Sequence, residues 1–114
     1  MKILILLAAL TSLASPQCSK TTVKVLPACV QQKINAIKQQ PKWNPPAQVN
    51  EYVYSDQTVY LFSADCCDRY TTAYDGNCKE VCSPSGGITG RGDGKCADFN
   101  DVAKHVRLVW KDGR

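Results

Sequence analysis

The chain has 114 residues, 44% of them hydrophobic, a formal net charge of +4 at neutral pH and seven cysteines. This length suits one domain with a modest core that crosslinks would strengthen. The basic residues are scattered and interleaved with acidic ones, as on a solvated surface. The composition therefore excludes a dedicated nucleic-acid interface, and we expect no nucleic-acid partner.

The N-terminus has the layout of a secretory signal. A lysine at position 2 precedes the apolar run 3–10, and small residues follow at Ser12 and Ala14. The apolar run is shorter than the roughly 20 residues that cross a bilayer. We therefore predict a signal peptide over 1–14, which is cleaved after Ala14, and an exported protein.

Two further segments follow the predicted cleavage site. Residues 15–26 are polar and mixed and are interpreted as a flexible arm, and 27–114 are predicted to form a single domain. Cys18 in the arm also allows an alternative, a bacterial lipoprotein anchored through that residue. Gln17 is a poor match to the small residue required before a lipidated cysteine, so we expect membrane attachment only if Cys18 is lipidated.

The cysteines predict a disulfide-stabilised protein, because small exported domains commonly rely on such crosslinks. An odd number leaves one unpaired, and Cys18 near the new N-terminus is the best candidate. Cys66 and Cys67 are expected to bond to two different partners, since adjacent side chains of an extended strand point to opposite faces. Cys29 is a candidate partner for one of them. The disulfide candidates are Cys29, Cys66, Cys67, Cys78, Cys82 and Cys96.

The spacings between other cysteines argue against one disulfide and against a zinc site. Cys78 and Cys82 are too far apart along a strand to bond to each other. The cysteines do not form the two CxxC-like pairs that are typical of a structural zinc site, so we predict no metal bound by cysteines.

The first regular element is a helix over about 28–40. Val30, Ile34 and Ile37 form one apolar stripe at helical spacing. Pro27 opens the helix where a missing N–H is harmless, and Pro41 stops it. The proline-rich segment 41–48 is then an extended connection, and Trp43 within it either covers the core or faces outward.

From Val49 onward the pattern has a period of two and predicts strands. A hairpin is expected from 50–54 and 58–63; its second strand is apolar on both sides and should be central, with the helix on one face. Further strands are predicted at 69–74, 78–83 and 105–110, with a short helical turn after Asp98. In the last strand, Val106, Leu108 and Trp110 are expected to point inward. The fold class is α+β: one N-terminal helix on an antiparallel sheet of four to five strands.

A glycine-rich loop over 84–98 is the candidate functional segment, with five glycines between Pro84 and Asp98. One interpretation is a compact surface loop closed by Cys82 and Cys96. Another is a rigid, inhibitor-like binding loop, since preorganisation lowers the entropy cost of association. The candidate binding residues are Gly90, Arg91, Gly92, Asp93, Gly94 and Lys95.

The sequence of this loop matches the patterns of three other ligands less well. A phosphate-binding loop is disfavoured because the sequence has neither the P-loop spacing nor the GxGxxG spacing. Calcium could draw on carboxylates of Asp75, Asp93, Asp98 and Asp101, but the EF-hand pattern is absent. The tripeptide at 91–93 matches the one that integrins read, a short match that arises easily by chance.

No catalytic residues are predicted. His105 has no serine or cysteine partner that the sequence can assign to it, and a lone histidine on a strand edge is typical of a surface position. Asp65 and Asp68 flank the double cysteine. A salt bridge to Arg69 is a simpler role for these carboxylates than a catalytic pair. We expect no cofactor and no enzymatic activity.

The pattern CCD at 66–68, YD at 74–75, and CxPxGGxTGxGDGKCxDF over 82–99 resembles an uncharacterised family of small exported bacterial proteins. The likeness extends over about 27–111. It implies a bacterial envelope setting and carries over no functional residue.

Together these features predict an exported, disulfide-stabilised, non-enzymatic binding module, inhibitor-like in kind, which acts as a monomer on a protein partner through the glycine-rich loop. The alternative is an envelope-associated structural protein, lipid-anchored or calcium-binding. A small hydrolase is a third, less favoured hypothesis. The compartment is the periplasm, cell envelope or extracellular space.

Overall fold

The computed structural model describes residues 25–114. The predicted signal peptide, Cys18 and most of the predicted arm lie outside the described residues. The regular elements, in chain order, are helix α1 (Ala28–Lys38), strands β1 (Gln48–Tyr54), β2 (Gln57–Phe62), β3 (Tyr70–Tyr74) and β4 (Glu80–Gly86), the short helix α2 (Phe99–Val102) and strand β5 (Lys104–Lys111).

Helix α1 forms where its apolar stripe predicts it. The Gln31 amide donates to the Pro27 carbonyl at 3.1 Å, which closes the first turn directly after the proline. Val30, Ile34 and Ile37 are all buried. At the other end the Arg114 guanidinium donates to the carbonyl oxygens of Lys38 and Gln40, which satisfies acceptors that a helix C-terminus leaves free.

The five strands form one antiparallel sheet in the order β4-β3-β2-β1-β5. The α+β prediction is confirmed, and β2 is the central strand as expected. The β1–β2 hairpin turns at Ser55 and Asp56, whose φ values of 50° and 59° are those of the turn that matches the twist of paired strands. Because β4 and β5 are opposite edges, residues 87–103 must carry the chain across the whole sheet.

The sheet has a core on each face. On one face α1 packs over Val49, Tyr60 and Phe62. On the other, the crossing segment lays Cys96 and Phe99 over Val59 and Ala73. This second layer explains why β2 is apolar on both sides: one face meets a helix and the other meets an irregular segment held down by a disulfide.

The predicted orientation of β5 is partly wrong. Val106 and Leu108 are 47% and 51% exposed, whereas Trp110 packs against the helix-side core. Two register shifts interrupt the pairing of β5 with β1, between Val49 and Asn50 and between Glu51 and Tyr52. Such irregularities shift the side-chain alternation, so a strict period of two misassigns the residues between them.

The predicted partners of the double cysteine are also wrong. Cys66 and Cys67 are bonded to each other, and Cys29 is bonded to Cys78. The expectation assumed extended chain, whereas Cys67 has a φ of 49°, in the left-handed region, within a turn. The loop closure by Cys82 and Cys96 is confirmed. Three disulfides in so small a domain indicate an oxidising, non-cytoplasmic location.

Candidate functional site

The glycine-rich loop is bound tightly to the edge of the sheet. The Asp93 amide donates to the Ser83 carbonyl at 2.9 Å, and the Gly92 amide donates to the Gly86 carbonyl at 3.0 Å. A parallel bridge between Gly86 and Arg91 extends this pairing. The loop therefore covers the outer edge of β4 with backbone hydrogen bonds, which a flexible connection would not do.

The carboxylate of Asp93 faces the backbone of its own loop. One oxygen accepts from the Ser83 amide at 3.1 Å and the other from the Lys95 amide at 3.0 Å. Ser83 is only 5% exposed, so the first bond satisfies a donor that water reaches poorly. Asp93, one of the predicted binding residues, thus holds the loop together through both oxygens.

Two of the loop glycines differ sharply in what surrounds them. A Cβ at Gly92, where φ is 76°, would overlap the Ser83 carbonyl oxygen. A Cβ at Gly90, where φ is 72°, would meet nothing within 4 Å. The backbone angle favours glycine at both positions, but only at Gly92 does the close approach of the β4 backbone also leave no room for a Cβ.

The outer surface of the loop carries an apolar and two basic side chains. Ile88 is 93% exposed, the highest value among the large hydrophobic residues within 25–114. Arg91 and Lys95 are exposed as well, as are Gly90 and Gly94, whereas Gly92 and Asp93 are half-buried. The sequence reasoning missed Ile88. The sequence did contain an indication, because Ile88 is an aliphatic residue between the glycines of a polar loop.

Three of the four carboxylates named for calcium, those of Asp75, Asp93 and Asp98, have partners of their own. Asp75 accepts from the Asn77 and Lys79 amides, both at 2.9 Å, and Asp98 accepts from the Tyr54 hydroxyl at 2.7 Å. The bond to Asp98 raises the pKa of the Tyr54 hydroxyl. Across residues 25–114, no group of three or more His, Cys, Asp or Glu side chains could hold a metal ion.

The remaining sequence candidates occupy surface positions. The Nε2 atom of His105 lies 2.9 Å from the side-chain oxygen of Asn50, and its ring packs edge-on against Tyr52. Arg69 and Asp65 form the predicted ion pair, with Nε and Oδ1 3.3 Å apart. Asp68 is exposed.

A second surface, which we call the cleft, was not predicted from the sequence. It lies between the C-terminal half of α1, the connection at Trp43 and the start of β3, and its volume is about 280 Å³. Trp43 is half-buried and donates from Nε1 to the Gln40 side-chain oxygen at 2.9 Å. Tyr70 and Tyr74 form the facing wall. Trp43 therefore lies against the core, one of the two placements left open by the sequence.

One cation borders the cleft and a second lies beside it. The Lys33 ammonium lies 4.2 Å from the centre of the Tyr74 ring. Arg69 lines an adjoining pocket that shares Tyr70 and Tyr74 with the cleft. Burial, and next the charge of Glu80, raise the pKa of the Tyr74 hydroxyl. The disulfide between Cys66 and Cys67 is exposed and lies shortly before Arg69 in the sequence.

The loop and the cleft meet at one contact. A Cβ at Gly87 would overlap the ring of Tyr70, so the glycine lets the aromatic wall of the cleft lie directly on the loop base. The Gly87 amide also donates to the Arg69 carbonyl at 3.3 Å. The position of Tyr70 thus depends on the conformation of the loop.

Comparison with known proteins gives one match. The family described as "Domain of unknown function (DUF6970)" matches residues 35–112, which include the sheet, the loop and most of the cleft. No curated protein and no solved structure matches the chain. None of the described helices is both long and apolar enough to cross a bilayer.

Proposed function

The chain belongs to this family of unknown function, and on that premise we propose that it is an exported, non-enzymatic binding module that engages a protein partner through the glycine-rich loop. The proposal takes the surface around Ile88 and Arg91 as the contact. In this role the protein is a monomer and uses no cofactor.

The observation that carries the proposal is the exposure of Ile88. At 93% exposure its side chain contributes almost nothing to the core. Burying such a side chain in a partner would contribute roughly 1.5–3 kcal/mol, the transfer free energy of an aliphatic residue. An isolated exposed hydrophobic residue is ordinary, but this one stands on a loop that is fixed in shape.

The fixed shape supports a binding role because it removes a cost of association. The disulfide between Cys82 and Cys96, the Asp93 carboxylate and the pairing with β4 hold the loop before any partner arrives. A preorganised loop loses little conformational entropy on binding. This is the physical basis of inhibitor-like recognition, in which a rigid loop is presented to a protease or similar partner.

The compartment proposed is the periplasm, cell envelope or extracellular space. The disulfides favour an oxidising compartment, and the predicted signal over 1–14 provides the route. Periplasmic and culture-medium extracts are therefore the source in which to seek the partner.

The test is affinity capture with matched variants. The mature protein is immobilised, and proteins retained from these extracts are quantified for wild type, Ile88→Ser and Arg91→Ala. Leu108→Ser and Lys111→Ala are the controls, because they remove an exposed aliphatic and an exposed basic side chain from β5, away from the loop.

We expect a retained protein whose capture falls at least about tenfold with Ile88→Ser, as for a central contact residue, and is unchanged in the controls. Equal loss in Leu108→Ser, or no protein retained above background, contradicts the proposal. Substrate-turnover assays in the same extracts would contradict the non-enzymatic part if the pure protein consumed any component.

A further inference from the structure

We propose that the cleft is a second binding site, which takes a small organic anion made of one ring and a carboxylate. The inference does not need the protein partner proposed for the loop, because it concerns a small molecule on the helix side of the sheet, although Tyr70 contacts the loop base at Gly87. It rests on the size of the cleft, its aromatic walls and the charge at its rim.

The size limits the ligand to about one ring. A volume of about 280 Å³ lies just below the usual range of ligand pockets, roughly 300–1,000 Å³. A dinucleotide or a folded peptide would not fit. A single six-membered ring with a short substituent would fill the space.

The walls provide flat aromatic surface for that ring. Tyr70 is 50% exposed, which is high for a tyrosine that lies against the fold. Tyr74 is fixed from behind by Phe62, with ring centres 5.4 Å apart, and Trp43 is oriented by its bond to Gln40. Rings held in place by other contacts bind a flat ligand with little loss of side-chain entropy.

The charge at the rim selects an anion. Lys33 is half-buried, yet within the described part of the chain its ammonium forms no ion pair and lies instead over the Tyr74 ring. A partly desolvated cation without a counter-charge attracts a carboxylate more strongly than a fully hydrated one does. Arg69 lies in an adjoining pocket, but its guanidinium is already paired with Asp65, so Lys33 is the charge that selects the ligand.

Two sources share this chemistry, aromatic acids and sugar acids, and the experiment separates them. The probes are phenylacetate and glucuronate, with phenylacetamide and glucose as neutral counterparts. The reporter is Trp43 fluorescence in a Trp110→Phe variant, because the chain has two tryptophans and Trp110 does not line the cleft.

We expect saturable quenching or enhancement by at least one carboxylate, with a dissociation constant on the order of 1 mM. Its neutral counterpart should bind at least about tenfold more weakly, the effect of losing one charge-assisted contact. Preference for phenylacetate identifies an aromatic acid as the ligand class, and preference for glucuronate identifies a sugar acid.

Lys33→Gln and Lys38→Gln form the matched pair. Both lysines lie on α1 near an aromatic ring, but Lys38 lies 5.8 Å from the Trp110 ring, outside the cleft. Lys33→Gln should weaken carboxylate binding about tenfold, and Lys38→Gln should leave it unchanged. Circular dichroism of each variant verifies the fold.

The proposal is overturned if neither carboxylate gives a saturable signal, if the neutral counterparts bind equally well, or if the two lysine variants behave alike. Tyr70→Ala provides an independent check, with an expected loss of several-fold through the missing ring face. Unchanged binding in that variant would also refute the site.

Discussion

The glycine-rich loop and the cleft differ in how the chain builds them. The loop is continuous in sequence, and the carboxylate of its Asp93 is paired with the Ser83 and Lys95 amides, while the side chains of Arg91 and Lys95 are exposed. The cleft is assembled from the helix, a connection and two strands, and leaves Lys33 without an anionic partner among the described residues. The free charges of the loop are thus exposed to water, whereas the free charge of the cleft is half-buried, where a ligand could satisfy it.

This contrast separates structural from functional signals. Glycines and an aspartate in a loop attract attention in a sequence, but here Gly92 and Asp93 maintain the shape of the loop. The side chains available for contact are the less conspicuous Ile88 and Arg91. Substitutions that distinguish shape from contact are therefore the most informative.

The largest effect is expected from Gly92→Ala. Its Cβ would overlap the Ser83 carbonyl oxygen at a positive φ, so the loop must move away from β4. We expect a loss of about 3 kcal/mol or more in the free energy of unfolding, from overpacking together with backbone strain. Urea denaturation measures it.

Gly90→Ala is the control for that substitution, since its backbone angle is similar but its Cβ would be in open space. It should cost only about 1–2 kcal/mol, the strain of a left-handed residue. Equal losses in the two variants would mean that the contact with Ser83 does not hold the loop.

The second prediction compares how much two disulfides contribute to stability, the one that closes the loop and the one between Cys66 and Cys67. Replacing Cys82 and Cys96 by alanine opens a ring that spans 14 residues of sequence separation, and the entropy model gives a loss of roughly 3 kcal/mol. Replacing Cys66 and Cys67 opens a ring between neighbours, which restricts the unfolded chain very little. We expect that second pair to leave the midpoint of chemical denaturation nearly unchanged.

The outcome that would contradict this comparison is a large loss of stability from the Cys66 and Cys67 pair. Mapping of the disulfides in the wild-type protein by mass spectrometry under acidic conditions provides the control. A peptide that links either of these cysteines to Cys29 would refute the connectivity itself.

A third, smaller effect comes from Asp93. Asp93→Ala leaves the buried Ser83 amide without its acceptor, at a cost of roughly 1–3 kcal/mol. Asp93→Asn keeps one carbonyl oxygen and should lose about half as much. Thermal melting with calcium and with a chelator should give the same midpoint for wild type, and a calcium-dependent rise that Asp93→Asn abolishes would instead make Asp93 a metal ligand.

The sequence supports prediction of the fold far better than of the binding surfaces. The stripe at Val30, Ile34 and Ile37 and the two-sided apolar strand β2 predict the helix, the central strand and their packing, because local periodicity reflects burial. Prediction from local periodicity fails at β5, where register shifts interrupt the alternation of side chains, and at Cys67, where the backbone is not extended. The cleft leaves no local pattern because its walls are distant in sequence.

The smallest effect concerns pH and compares a tyrosine of the cleft with a tyrosine of β1 that contacts the end of the loop at Asp98. Burial, with a contribution from Glu80, raises the pKa of Tyr74 in the cleft, and the bond to Asp98 raises that of Tyr54 beside the crossing segment. A phenol whose pKa is raised on folding contributes stability that is fully present below its unfolded pKa of 10.0 and is lost as pH rises through the folded pKa.

Stability should therefore decline above pH 10.0 in the wild type, and less steeply in Tyr74→Phe and in Tyr54→Phe. Urea denaturation across this pH range measures the decline, in a Cys18→Ser background that avoids thiol exchange at alkaline pH. If Tyr74→Phe declines as steeply as wild type, the Tyr74 hydroxyl is not shielded from water. Its side of the cleft would then be open to solvent, and the ammonium of Lys33 beside it would be too well hydrated to select a carboxylate.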